Sequence, residues 1–71
     1  MMVWDTERAA RKAEQAHRYV SRTLPPGTDY SPLDTHTAAA YKAERTKDWL
    51  AFLEALAEMC SAARREARRA A

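Results

Sequence analysis

The chain has 71 residues, of which 46% are apolar and 31% charged, and a formal net charge of +2, so it is bounded to one small domain with an ordinary solvated surface. It contains neither an apolar run of about 18 residues nor a basic-then-apolar leader, which argues against a membrane span or secretion. The single Cys60 excludes an internal disulfide and suits a reducing, cytoplasmic compartment, while nine Arg against three Lys is the usage expected of a GC-rich bacterial genome or its phage.

The first predicted helix runs over residues 5–23. Asp5 or Thr6 can cap it, and Glu7 places a negative charge in its first turn. Small or apolar residues recur at Val3, Thr6, Ala10, Ala13, His17, Val20 and Leu24, flanked by Ala9 and Ala16, which predicts a heptad-like buried seam. Arg8, Arg11, Gln15, Arg18 and Arg22 fall on the opposite face. Glu7 with Arg11 and Glu14 with Arg18 are spaced for (i, i+4) ion pairs. Trp4, just before the cap, is expected to act as a hydrophobic staple.

A connection comes next, over residues 24–31. All three prolines and the only glycine lie between Pro25 and Pro32, and two successive prolines stop the first helix. Tyr30 is expected to pack over this loop. Ser31 reads as the next cap, with Pro32 in the first helical position and Asp34 in the third.

The second helix is expected to run over residues 32–69, because nothing inside it beyond its first position is Gly or Pro. Its second half carries a strict seam at Trp49, Leu53, Leu56, Cys60, Ala63, Ala67 and Ala70, widened by Phe52 and Met59. Extending that seam backward lands on Lys42 and Arg45, so the alternative is a break near Thr46, with Thr46 capping a third helix. The fold class expected is therefore all-α: an antiparallel helical hairpin with a long second helix, in a single domain over residues 1–71. The first helix would cover only about half of such an arm, leaving Trp49, Phe52, Leu53, Leu56, Met59 and Cys60 exposed beyond it. Sixteen of the apolar residues are Ala, so the chain has few large side chains to bury against its folding entropy. A second copy covering the stripe, in a dimeric helical bundle, would meet both demands. A break at Thr46 would instead let the third helix fold back and bury the stripe within one chain.

Chemistry is sparse. Glu14 and His17 have the E-x-x-H spacing of di-iron bundles, but Glu54 and Glu58, spaced one turn apart, both lie opposite the seam. We read His17 as a core-edge histidine and Glu14 as an ion-pair residue, with no metal and no cofactor. Asp34 and an exposed His36 have no nucleophile or second acid to work with, and Cys60 reads as a small core hydrophobe. Core or staple use is expected of Tyr41 as well. The sharpest charge feature is Arg64, Arg65, Arg68 and Arg69 on one outward face of the last turns. The reading is a non-enzymatic, homo-oligomeric accessory or regulatory protein, of the kind phages use as inhibitors. It would bind another protein through Trp49, Phe52, Leu53, Leu56, Met59 and Cys60, with the four arginines steering. A nucleic-acid binder using the arginine face is the alternative.

Overall fold

A computed structural model describes residues 5–70. Every regular element among them is helical: α1 (Thr6–Thr23), a single 3-10 turn (Ser31–Leu33), α2 (Asp34–Thr46) and α3 (Trp49–Ala70). Val3 and Trp4, expected in the first seam and staple, lie outside the described residues.

Asp5 caps α1, its carboxylate accepting from the Arg8 N–H at 2.8 Å. Both expected surface pairs form, Arg11 with Glu7 and Arg18 with Glu14. Leu24 ends the helix in an extended conformation and is buried. Pro25, Pro26, Gly27 and Thr28 then form a turn in which the Thr28 N–H donates to the Pro25 carbonyl at 3.2 Å. Gly27 occupies its third position at φ 83°, where a side chain would be strained. Ser31 does not cap a helix. Its N–H and hydroxyl both donate to the Asp29 carboxylate, at 2.9 and 2.7 Å, and Ser31 opens the 3-10 turn instead. These two donors hold the Asp29 carboxyl below its usual pKa.

The continuous second arm is replaced by two helices. Lys47 takes a left-handed conformation, φ 57° and ψ 31°. Its N–H donates to the Glu44 carbonyl at 3.1 Å, and the Asp48 N–H donates to the Ala43 carbonyl at 2.9 Å. This pair of bonds is the Schellman closure of a helix end. Asp48 then starts α3, its carboxylate accepting from the Ala51 N–H at 3.2 Å. The new cap is thus Asp48 and not Thr46, whose hydroxyl donates backward to the Lys42 and Ala43 carbonyls. A straight helix would have carried Lys42 and Arg45 onto the apolar stripe; the break leaves both exposed.

The two-residue link makes α2 and α3 antiparallel neighbours. α3 is also the main packing partner of α1, so it is the axis on which the other two helices lie, rather than the far arm of a hairpin. One inner pocket joins Ala13 and His17 to Thr37, Tyr41 and Glu44 and to Phe52 and Leu56. The next joins Val20 and Ser21 to Leu33 and Asp34 and to Met59. Residue numbers rise along α1 and α3 and fall along α2 between them, so the three helices run up, down and up.

Phe52 and Met59 are the largest fully buried side chains, and Trp49 meets Phe52 edge-to-face at 6.0 Å. Seven of the thirteen buried apolar residues among those described are Ala, so the core is made by close helix approach more than by bulk. Both seams are rotated from their expected positions. In α1 the buried residues are Ala9, Ala16 and Val20, whereas Thr6, Ala10 and His17 are exposed. In α3 they are Phe52, Ala55, Leu56, Met59, Ala62 and Ala63. Tyr30 and Tyr41, expected as core or loop-covering residues, are 46% and 59% exposed, and His36 is half-buried.

Candidate protein-docking groove

Folding α3 back against α1 and α2 redistributes the residues expected to bind a partner. Phe52, Leu56 and Met59 are inside the single chain, at 1%, 7% and 2% exposure; Phe52 and Met59 are withheld from another molecule, and Leu56 shows only an edge. Trp49, Leu53 and Cys60 are only half-covered and flank that core.

Leu53 and Cys60 open into a shallow, solvent-open groove between α1 and α3 to which α2 contributes nothing. It has a volume of ≈ 350 Å³, an apolar floor of Ala16, Leu53, Leu56, Ala57 and Cys60, and a rim of Lys12, Gln15, Tyr19 and Arg64. No carboxylate lines it. Leu50, 70% exposed, lies one turn before Leu53 and two before Ala57, which extends the apolar strip toward the start of α3.

One end of the groove is closed by a cross-helix contact. The Arg64 guanidinium donates to the Tyr19 hydroxyl at 3.2 Å and to the Ser61 hydroxyl at 3.1 Å. It also sits over the Tyr19 ring, 5.9 Å from the centroid. The hydrogen bond to Tyr19 favours the charged form of Arg64 still further. Burial pushes the Cys60 thiol above its usual pKa, although nearby Arg64 acts the other way. A thiol raised in this way is a weak nucleophile near neutral pH.

The four C-terminal arginines do not act as one cluster. Arg64 turns to Tyr19, and Arg69 pairs with Glu66 at 3.0 Å. Arg65 and Arg68 have no ion-pair partner among the described residues. Glu14 and His17 do not meet Glu54 or Glu58, and no group of three His, Cys, Asp or Glu residues able to hold a metal occurs among the described residues. No described helix is long and apolar enough to cross a membrane.

Tyr19 and Lys12 are absent from the sequence-derived site. Their signal was present, since an aromatic side chain set among the cations of the polar face of α1 has no core to serve there. No protein-family model matches the chain, and no curated protein or solved structure shows significant similarity to it.

Proposed function

We propose that this protein is a non-enzymatic binding module, of the accessory or regulatory kind, that docks on another protein through the α1–α3 groove. The observation that carries this reading is the groove itself: a half-exposed apolar strip with a basic rim, left over after the core has closed. Exposed apolar strips with aromatic and Arg anchors are the usual material of protein interfaces. The expectation of a homodimer rested on a stripe projecting past its own hairpin and on the small number of large side chains available for the core. With Phe52, Leu56 and Met59 covered by the chain's own helices, the first of these grounds no longer applies, which supports reading the module as a single copy.

The test is site-specific photo-crosslinking in the native host. A photoreactive residue is placed at Ala57, exposed in the groove, or at Ala39, exposed on α2. The expected result is a discrete protein adduct from Ala57 and none from Ala39, with light scattering at low micromolar concentration giving the 8.1 kDa mass of one chain. Equal labelling from both positions would count against the groove. An adduct to nucleic acid would favour the reading based on Arg65 and Arg68, and an adduct to a second copy would restore the homodimer.

A further inference from the structure

We propose that the groove takes an acidic amphipathic helix, with its apolar face on Ala16, Leu53 and Ala57 and a carboxylate on the Tyr19–Arg64 pair. This rests on the docking reading above and names the chemistry of the occupant.

The shape argues for a helix. The strip from Leu50 to Arg64 is roughly 21 Å long at 1.5 Å per residue, the length of a three- to four-turn helix. Ala16 and Ala57 among its lining have small side chains that let a second backbone approach, beside the half-covered Leu53.

The charge argues for acid. Lys12 and Arg64 stand on the two walls, and among the described residues no carboxylate lines the groove itself, although Glu54 flanks Leu50 and Ala57 by its helical spacing. Arg8 and Arg22, both exposed, flank Lys12 and Tyr19 along the same side of α1 by their helical spacing. A second copy docked here would bring like charges together, which disfavours self-association through this face.

Tyr19 and Arg64 supply a specific receptor. The Tyr19 oxygen accepts from Arg64, which leaves its own O–H proton available to donate outward. Arg64 spends two N–H groups on Tyr19 and Ser61, and its others have no partner among the described residues. A carboxylate seated there receives one O–H and at least one guanidinium N–H, all charge-assisted. Because Tyr19 and Ser61 already hold the guanidinium in place, little side-chain freedom is lost on binding.

The experiment titrates the full chain with three designed helical peptides that share one Leu-rich face and differ only in their flanks, which carry Glu, Gln or Lys. Binding is followed by amide chemical shifts. The Glu peptide should shift the amides around Tyr19, Leu53, Ala57 and Arg64, bind roughly tenfold more tightly than the Gln peptide, and weaken with added salt. Tyr19→Phe, at a half-buried position, and Arg64→Gln, at an exposed one, should each lose roughly tenfold for the Glu peptide and little for the Gln peptide. Ala57→Trp should block all binding in a chain that keeps its helical circular dichroism. Equal affinity for Glu and Gln peptides would overturn the acidic occupant while leaving a docking groove. Failure of the Glu peptide to shift these amides would overturn the inference outright, as would shifts produced instead by vesicles of anionic lipid; the crosslinking test judges the docking reading separately.

Discussion

Lys47 holds the turn between α2 and α3 in a conformation that costs an L-residue about 1–2 kcal/mol and costs glycine almost nothing. Its backbone closes the end of α2, and the next residue opens α3, so the strain is retained by bonds on both sides. Lys47→Gly should therefore stabilise the protein by roughly 0.5–1 kcal/mol, the relief being partly offset by glycine's greater freedom in the unfolded chain. A higher urea midpoint at unchanged slope would show it. An unchanged or lower midpoint would mean that the Lys47 side chain contributes something that its backbone geometry does not reveal. Asp48 is the complementary case. One residue ends one helix and caps the next, a double use that no composition-based rule for breakers detects.

At the scale of elements, the helices were largely legible. The Pro and Gly cluster separates α1 from the rest of the chain, and the periodic apolar positions mark both long helices. The break at Lys47 was less legible because neither Gly nor Pro announces it. Its trace was the conflict of Lys42 and Arg45 with the stripe, a tertiary argument and not a local one. The rotation of the α1 seam has a different cause. Ala9, Ala10, Ala13 and Ala16 suit a core or a surface equally, so a run of alanines does not say which side faces in. The same ambiguity hid the groove, whose floor is partly Ala16 and Ala57. In α3 the bulky residues do discriminate. Phe52 is 1% exposed and Leu50 is 70% exposed, two residues apart on opposite sides of the helix. Phe52→Ala should cost about 3–5 kcal/mol, enough to unfold a domain of this size, whereas Leu50→Ala should change stability by less than about 0.5 kcal/mol. Thermal melts of the two variants decide this, and comparable losses would place Leu50 in packing that the fold does not show.

The molecule as a whole is long and thin, 41 × 18 × 17 Å, and α3, at about 33 Å, makes up most of that length with the other helices lying along it. Its radius of gyration of 12.6 Å exceeds the roughly 11 Å of a compact chain of 71 residues. So slender a body has little interior, which is why its helices meet through alanines and why so much of α3 remains half-covered. A binding surface along the side of such a rod comes with the architecture: three helices leave an outer furrow between any two of them.

The packing of α1 and α2 on α3, more than on each other, also sets an order of events in the cell. Synthesis delivers α1 and α2 first, yet the surface that each must rest on is made after both. An isolated helix of about 12–15 residues or fewer is marginal in water, which covers α2 at 13 residues and leaves α1, at 18, only a little longer. A chain ending at Thr46 should accordingly show little helical circular dichroism, and a strong helical signal from it would refute this order. Until α3 has been made, neither earlier helix has the surface on which it rests, so the three helices settle together rather than one by one.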